Sequence, residues 1–279
     1  MKTWGNDKTS DRIIGFDGRR RPRAFTLIEL LAVLATIAVL AAILWPAMQR
    51  ATRQARAVAC QGQLRQWGIG FAAFLDEHDN PVVGVGSDVW EPFWRRYCDG
   101  RRLFLCPMAT RYEVNTDDPD TMAREAAGWG VGGKFTAWKL PMSTPVTPGP
   151  GPLFGSYGFN GGGLVLLDSR VSRGRRVDRA HVPVFLDGAY FVATVQPNDA
   201  PPAFDGQWLP CSDMKTWCID RHAGGINSLF LDWSVRKVGL KELWALEWSP
   251  LFDRRGPWTR AGGVKPEAWP PWMRNFKDG

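Results

Sequence analysis

Signatures of catalysis are nearly absent from this sequence. It contains only three histidines among 279 residues, no HExxH, GxSxG or P-loop motif, and no CxxC pair. In sequence, His222 lies near Asp220 and Asp232, and His181 lies near Asp187. Either set could in principle act in acid–base catalysis or bind a metal ion. A histidine at a strand start, however, most often only hydrogen-bonds a neighbouring loop. We therefore predict that the protein is not an enzyme and that it needs no cofactor.

Charge is also missing from one long segment. Residues 25–48 read FTLIELLAVLATIAVLAAILWPAM, and Glu29 is the only charged residue among them. A helix of this length is long enough to cross the hydrocarbon core of a bilayer, which is about 30 Å thick. A secretory signal would have a shorter apolar stretch followed by a small-residue cleavage site. The pattern therefore predicts a transmembrane helix over residues 25–48.

Basic residues before the apolar segment indicate its orientation, because such groups hold the preceding terminus in the cytoplasm. The densest group lies just before the segment and consists of Arg19, Arg20, Arg21 and Arg23. Three arginines that follow the segment reduce this asymmetry: Arg50, Arg53 and Arg56. The formal net charge of +7 is otherwise spread along the chain, so we expect no nucleic-acid partner. We expect a single-pass inner-membrane protein with a cytoplasmic N-terminus and an exported remainder.

Glu29 is the one costly residue of the apolar segment. A carboxylate within a membrane helix persists only where something pairs with it or where it reaches the interface. Glu29 lies near the start of the segment, so its side chain could extend to the nearby interface. The alternative is that it pairs with a charged chain terminus on a neighbouring subunit. The residues alone leave both interpretations open.

The string RAFTLIE at residues 23–29 resembles the processing site of type IV prepilins and of type II secretion pseudopilins. The resemblance implies that a prepilin peptidase cuts between Ala24 and Phe25 and methylates the new amino group of Phe25. It also implies that Glu29 neutralises the N-terminus of an adjacent subunit during assembly. The implied partners are the peptidase, the inner membrane and other pilin or pseudopilin subunits. The family usually has glycine before the cut, where this chain has Ala24.

Helical spacing continues beyond the apolar segment. Residues 51–77 contain no proline, and apolar side chains recur there at nearly helical intervals: Val58, Leu64, Trp67, Phe71, Phe74 and Leu75. We predict an amphipathic helix that packs against a sheet. Three glycines disfavour a regular helix in this region: Gly62, Gly68 and Gly70. The predicted organisation is a leader at 1–24, a transmembrane helix at 25–48 and an extracytoplasmic domain at 49–279.

The rest of the chain indicates short strands separated by Gly, Pro and Asn. One such strand is predicted at 227–238, where alternate apolar residues share a face: Leu229, Leu231, Trp233 and Val235. The HAGG residues at 222–225 predict a turn before it, and the Pro- and Gly-rich residues 142–152 predict a loop. The predicted fold class is α+β: a long N-terminal helix, membrane-spanning and then amphipathic, packed on a mainly antiparallel sheet with large loops.

Several segments resemble a pilin-like family abundant in planctomycetes and verrucomicrobia. They are the helix at 60–79, a Cys-Pro strand end at 103–107, the SYGFN element at 156–160 and a strand at 184–188. The hallmark of that family is a histidine followed, after nine residues, by Asp-Gly. His222 and Asp232 match the hallmark, and Trp233 stands where glycine is usual. The resemblance implies a pilin-like exported domain.

Five cysteines in an exported domain favour disulfides, and the odd number leaves at least one cysteine out. Cys211 and Cys218 are close enough in sequence to close a small loop. Cys60 and Cys106 match the pattern of the resembled family, which implies a second pair and leaves Cys98 as the free thiol. Five buried free thiols are the alternative.

Loop carboxylates are the candidate ligands for a metal ion. Some pseudopilins hold a structural calcium ion, and the resemblance makes Asp187, Asp220 and Asp232 the candidates in this chain. Their positions show no regular calcium-ligand spacing. We therefore treat calcium as an alternative to a domain without any metal.

Fifteen tryptophans leave two functional classes open, because large rings either fill a core or line a surface. If they fill the core, the chain is a pilin or pseudopilin subunit whose work is polymerisation through its N-terminal helix. If they line a surface, the chain is a membrane-anchored module whose aromatic faces stack on polysaccharide, and the prepilin-type signal serves only for export. We favour the filament subunit.

Overall fold

The computed structural model describes residues 26–77, 93, 101–113, 128–141, 152–163, 177–207 and 213–278. The chain divides into two compact units, Met1–Gln49 and Arg50–Gly279. Four predicted features lie outside the described residues: the cleavage pair Ala24 and Phe25, most of the loop at 142–152, Cys98 and Cys211. The described residues form one long helix and two mainly antiparallel sheets, so the predicted α+β class is confirmed.

Helix α1 runs from Leu27 to Glu77 and has 51 residues. Pro46 lies inside it and removes one backbone donor, yet the helix continues on both sides. It also continues through Gly62, Gly68 and Gly70. The predicted helix beyond residue 51 is therefore confirmed, because packing of one helix face outweighs a propensity cost of about 1 kcal/mol per glycine.

One face of α1 within the unit Arg50–Gly279 is buried. Its buried side chains recur at intervals of three and four residues: Cys60, Leu64, Trp67, Phe71 and Phe74. The predicted amphipathic helix is therefore present. Val58 was expected on this face, but its side chain is 60% exposed. The buried stripe begins at Cys60 and does not include Val58.

Seven strands follow the helix among the described residues. Their bounds are β1 Trp138–Leu140, β2 Leu153–Gly155, β3 Tyr157–Asn160, β4 Pro183–Asp187, β5 Val192–Ala193, β6 Gly225–Phe230 and β7 Val235–Gly239. β1 and β2 form a small antiparallel pair. The other five form one sheet in the order β5-β3-β4-β6-β7, antiparallel except for the pairing of β3 with β5.

The two faces of the five-stranded sheet bury different side chains, because successive residues of a strand point to opposite faces. Phe185 and Leu229 pack in the cluster that contains the buried stripe of α1. Their neighbours Leu186 and Phe230 pack in a second cluster. The second cluster also contains much of the C-terminal region, including Trp217, Trp244, Trp248 and Trp269. Most of the described tryptophans outside the apolar helix half are thus core residues.

The region predicted as one strand at 227–238 is a hairpin of β6 and β7. The Asp232 carboxylate accepts hydrogen bonds from the backbone and hydroxyl of Ser234 at 2.9 and 2.6 Å, which closes the turn. Trp233 lies in the left-handed region at φ 65°, a conformation that glycine adopts without strain. The predicted shared face is nevertheless correct, because Leu229, Leu231, Trp233 and Val235 all pack in or against the helix-side cluster.

Gly158 shows why the SYGFN element of β3 requires glycine. A Cβ atom at this position would lie 2.3 Å from the Tyr190 carbonyl oxygen and 2.5 Å from the Trp217 ring. Both distances are far below van der Waals contact, and one neighbour is backbone. In contrast, a Cβ atom at Gly62 in α1 would meet nothing within 4 Å.

We predict opposite stability changes for Gly158→Ala and Gly62→Ala. Gly158→Ala should lower the free energy of unfolding by about 1–3 kcal/mol, because the added methyl forces the strand away from Tyr190. Gly62→Ala should raise it by about 0.5–1 kcal/mol through helix propensity alone. Denaturant unfolding of the detergent-solubilised chain, followed by tryptophan fluorescence, measures both. A loss of stability in Gly62→Ala, or none in Gly158→Ala, would contradict this packing.

Candidate functional site

Four side chains with metal-ligating or nucleophilic atoms meet beneath helix α1. They are Cys60 on α1, Cys106 shortly after the 3-10 helix Arg101–Phe104, Asp187 at the end of β4, and His222 in the turn before β6. All four are buried, and one ligand atom from each lies within 4.8 Å of every other. We call this group the buried cluster. It brings together two predicted cysteines, one predicted calcium ligand and the hallmark histidine.

Asp187 is the centre of the buried cluster. Its Oδ2 atom lies 3.0 Å from Nε2 of His222, accepts the Asn227 backbone N–H at 2.9 Å, and lies 3.6 Å from Sγ of Cys60. Sγ of Cys106 lies 3.5 Å from the same Nε2 atom of His222. The side chain of Asp187 is fully buried, and an isolated charge there would cost several kcal/mol. Its partners are therefore required for the fold.

Arg221 supplies the balancing positive charge. Its Nη1 atom donates to Oδ1 of Asp187 at 3.0 Å, and its side chain is fully buried as well. The other guanidinium N–H groups donate to the carbonyls of Gly133 at 2.7 Å, Lys134 at 2.9 Å and Gly188 at 3.3 Å, and Nη1 also donates to the carbonyl of Ser156. A planar five-donor group is the one side chain suited to this arrangement.

Opposing effects set the protonation of the buried cluster. Burial raises the pKa of Asp187, but the hydrogen bond from His222 and the charge of Arg221 outweigh it and lower the pKa to about 2. Burial lowers the pKa of His222, but its bonds to Asp187 and Cys106 raise the pKa to about 9. Burial raises the pKa of Cys106, yet contacts with Cys60, His222 and Arg221 bring it down to about 7. Burial raises the pKa of Cys60 well above its usual value.

The geometry does not fit nucleophilic catalysis. In a Cys-His-Asp triad the thiol and the carboxylate contact opposite nitrogens of the imidazole. Here Cys106 and Asp187 both lie against Nε2 of His222, and the His222 side chain is only 2% exposed. The buried cluster is therefore a set of converging donor atoms rather than a proton relay with an accessible nucleophile.

The predicted disulfides are not present among the described cysteines. Cys60 and Cys106 come together as predicted, but both are free thiols, and Cys218 is a free buried thiol as well. Sγ of Cys218 lies 3.9 Å from Sδ of Met273 in the second hydrophobic cluster. The predicted Cys60–Cys106 pair is thus close but not bonded in this structure, because spacing and resemblance indicate proximity and not bonding. Cys211, the predicted partner of Cys218, lies outside the described residues.

The predicted calcium ligands serve separate local interactions in the described residues. Asp220 pairs with Lys134 at 2.8 Å and accepts the backbone N–H of Gly224. Asp232 closes the β6–β7 hairpin through Ser234. Neither belongs to the described group of potential metal ligands that contains Asp187. His181 likewise pairs with Asp178 at 2.7 Å, not with Asp187.

The start of helix α1 forms a second site of interest, within the unit Met1–Gln49. The backbone N–H and the hydroxyl of Thr26 donate to Oε2 of Glu29 at 2.9 and 2.8 Å, and the Glu29 N–H donates to Oγ1 of Thr26 at 3.3 Å. This reciprocal pattern is a capping box, which satisfies otherwise unpaired donors of the first helical turn. The sequence showed the Thr-x-x-Glu spacing, but the capping role was missed.

The apolar half of helix α1 is exposed in this structure, as far as the described residues show. Its side chains are exposed on every side, from Leu27 at 77% through Ile37 at 56% to Met48 at 56%. The most apolar stretch has none of its residues buried, and it is long enough to cross a membrane. A helix that is apolar all round requires lipid or other helices around it.

The capped helix start coincides with a known sequence motif. Residues 19–45 match the prokaryotic N-terminal methylation motif. This match supports a type IV pilin-like or pseudopilin-like precursor with a processed, membrane-anchored N-terminal helix. No curated protein and no solved structure matches the chain significantly. The match ends at residue 45, so the subfamily indicated by His222 and Asp232 stays a prediction.

Arg221 is the charged partner of the buried cluster that sequence analysis missed. It precedes His222 directly, and arginine is almost never fully buried unless paired. The available signal was only the Arg-His dipeptide before a turn, which does not identify a buried charge. Its partners at Gly133 and Asp187 are separated from it by 88 and 34 positions, beyond the range of local patterns.

We predict that Arg221→Met lowers the free energy of unfolding by about 3–5 kcal/mol, because it leaves the Asp187 carboxylate buried without its cation. The matched control is Arg236→Met. Arg236 pairs with Glu242 at a site where its side chain is 35% exposed, so the loss should stay within about 1 kcal/mol. Denaturant unfolding of both variants gives the comparison. Equal losses would show that the Arg221–Asp187 pair is not a central contact of the fold.

Proposed function

We propose that the chain is a filament subunit of the type IV pilin or pseudopilin kind, cut by a prepilin peptidase and assembled through its N-terminal helix. The observation that carries the proposal is the methylation motif at residues 19–45. In the proposed topology the N-terminus is cytoplasmic, and the unit Arg50–Gly279 lies on the far side of the inner membrane. The arginines at 19–23 support this orientation.

The exposed apolar helix half supports assembly through α1. A monomer in water would expose Leu27, Ile37, Met48 and the residues between them, which is unfavourable by about 25 cal/mol per Å² of apolar area. A bilayer removes that area from water before assembly, and packing with neighbouring helices removes it afterwards. One helix thus serves both as a membrane anchor and as a polymerisation surface.

The Glu29 carboxylate is proposed to pair with the methylated Phe25 amino group of an adjacent subunit. A charged terminus inside an apolar helix bundle requires an opposite charge, and Glu29 is the one acidic residue of the segment 25–48. Its capping bonds use Oε2. A carboxylate has two oxygens and about four acceptor positions, so the cap does not use its full capacity.

The distribution of tryptophans favours the filament subunit over the polysaccharide-binding module. Six of the described tryptophans are buried: Trp67, Trp138, Trp217, Trp244, Trp248 and Trp269. Among the described tryptophans beyond the apolar helix half, Trp129 is the exposed one, at 36%, and Trp233, Trp258 and Trp272 are partly buried. Sugar stacking requires exposed ring faces, so the described part of the domain offers little of the necessary surface.

Processing is tested by the mature N-terminus. We predict that the protein purified from its native membrane begins at Phe25 and carries one methyl group on the amino nitrogen, because the RAFTLIE string resembles a prepilin processing site and lies within the matched motif. Mass spectrometry of the N-terminal peptide measures this directly. A mature chain that retains Met1 would remove the main support for the proposed function.

Assembly is tested by substitutions that separate the charge of Glu29 from its capping role. Glu29→Gln keeps an oxygen that accepts from Thr26 but has no charge, and Thr26→Val removes the side-chain half of the cap but keeps the charge. We predict that the Glu29→Gln and Glu29→Val chains are cut normally but are absent from sheared filaments. An unpaired buried ammonium costs several kcal/mol, and about 3 kcal/mol already means an approximately 100-fold loss.

Thr26→Val should still enter filaments at a yield within a few-fold of wild type. The yields are compared in sheared-filament fractions after cleavage has been confirmed for each variant. If Glu29→Gln assembles like wild type while Thr26→Val fails, Glu29 acts as a cap and not as an assembly charge. Wild-type filament yield from all three variants would show that assembly requires neither the charge of Glu29 nor its cap.

A further inference from the structure

We propose that Cys60, Cys106, Asp187 and His222 bind one structural zinc ion. These four residues offer the side-chain types that zinc prefers, two thiolates, one imidazole and one carboxylate, in a closed four-ligand set. The group lies entirely in the unit Arg50–Gly279, so the inference does not depend on the assembly role of the N-terminal helix half.

Three of the six distances between the ligand atoms of the buried cluster lie near the edges of a zinc tetrahedron, and all six lie within 4.8 Å. With Zn–S near 2.3 Å and Zn–N or Zn–O near 2.05 Å, tetrahedral geometry places S and N, or S and O, about 3.6 Å apart, and N and O about 3.3 Å apart. The observed distances are 3.5 Å from Cys106 Sγ to His222 Nε2 and 3.6 Å from Cys60 Sγ to Asp187 Oδ2. His222 Nε2 lies 3.0 Å from Asp187 Oδ2, which needs a shift of a few tenths of an ångström.

Charge balance also favours a divalent cation. Two thiolates and one carboxylate carry three negative charges, and Zn²⁺ compensates two of them. The guanidinium of Arg221, at 3.0 Å from Oδ1 of Asp187, compensates the third. The buried group is then formally neutral, as a site without solvent requires.

The surrounding contacts are those of an outer coordination shell. Metal-bound carboxylates are themselves hydrogen-bonded through their remaining positions, and Oδ1 of Asp187 accepts from Arg221 while Oδ2 also accepts from the Asn227 backbone. Binding through Nε2 of His222 leaves the ring proton on Nδ1, which has no protein partner among the described residues. His222 borders a cleft of about 480 Å³, but its Nδ1 atom is itself buried, so this outer contact is the one that the site lacks among the described residues.

The donor set selects zinc over the ions usually bound by exported carboxylates. Calcium and magnesium take oxygen ligands and six or more positions, whereas the buried cluster offers two sulfurs, one nitrogen and one carboxylate oxygen. Soft thiolate ligands in a tetrahedral arrangement are typical of zinc. The metal inferred here therefore differs in kind from the predicted calcium ion, and only Asp187 is shared.

Such a site would connect segments that are far apart in the chain. Cys60 and Asp187 are 127 positions apart, and Cys106 and His222 are 116 apart. Closing such long loops during folding is unfavourable in conformational entropy. The free energy of metal binding contributes directly to folding and offsets this cost. The cleft beside His222 is lined by Arg50, Arg53 and Lys237, which repel cations, so zinc is expected to enter as the chain folds and to exchange slowly afterwards.

An oxidised Cys60–Cys106 pair is the competing state in an exported domain. The two sulfurs lie within 4.8 Å, and a bond requires about 2.05 Å. The two states differ in their chemistry. Zinc leaves both thiols reduced, so that they react with an alkylating reagent once the protein is unfolded, whereas a disulfide reacts only after a reductant is added.

The first experiment uses the full chain, extracted in detergent and purified without chelator or reductant. We expect one zinc per chain by elemental mass spectrometry, together with alkylation of Cys60 and Cys106 after unfolding without reductant. Replacing the zinc by Co²⁺ during refolding should give the visible absorption of tetrahedral cobalt–thiolate coordination. Neither measurement depends on a variant that has to fold.

The second experiment compares three matched substitutions, Cys60→Ala, Cys106→Ala and Cys218→Ala. All three remove a buried thiol, but Cys218 lies against Met273, away from the buried cluster. We expect loss of a ligand to weaken zinc binding by more than about 100-fold, since even outer-shell changes cost 10–100-fold. Cys218→Ala should keep one zinc per chain and the cobalt spectrum.

Four results would count against the proposal. The first is a Cys60–Cys106 disulfide in the purified wild-type protein, and the second is a pair of reduced thiols that takes up neither zinc nor cobalt on refolding. The third is cobalt absorption that survives in both Cys60→Ala and Cys106→Ala, because the metal would then be bound elsewhere. Equal zinc loss in Cys218→Ala and Cys106→Ala would likewise assign the effect to general destabilisation.

Discussion

The buried carboxylate of Asp187 is the constraint on which the rest of the domain depends. A charge that is fully removed from water must be compensated by close partners, and these partners come from separate parts of the chain. Arg221 and His222 approach from the turn before β6, and Asn227 donates its backbone N–H from within β6. Cys60 brings helix α1 against the same carboxylate. Helix, sheet and turn are thus positioned around the two carboxylate oxygens of Asp187.

Arg221 extends this constraint to the segments that carry the family resemblance. Its guanidinium binds the Ser156 carbonyl at the head of the SYGFN element, and the Ser156 hydroxyl accepts the backbone N–H of Cys106. Gly188, which follows Asp187, offers a further carbonyl. The segments recognised one by one in the sequence therefore surround one polar centre. Their shared feature is physical: each supplies a donor, an acceptor or a close backbone approach to it.

Local patterns in the sequence predicted the elements but not this centre. The spacing of Leu64, Trp67, Phe71 and Phe74 predicted the buried helix face, and period-two apolar residues predicted the sheet face around Leu229. Both patterns depend on neighbouring residues only. The buried cluster depends on pairs more than 100 positions apart, which no local period records. The hairpin turn was missed because Trp233 holds a left-handed conformation that sequence rules assign to glycine.

Glu29, in the first turn of α1, meets one physical requirement in the lone subunit and another in the proposed filament. Before assembly, a carboxylate in the bilayer is costly unless its oxygens are hydrogen-bonded. The capping box supplies these bonds from Thr26, and the positive end of the helix dipole favours the same charge. The cap therefore lowers the cost of carrying Glu29 in a lone subunit without removing its charge. In the proposed filament, the amino terminus of a neighbouring subunit pairs with this remaining charge. Capping therefore acts before assembly and does not compete with it.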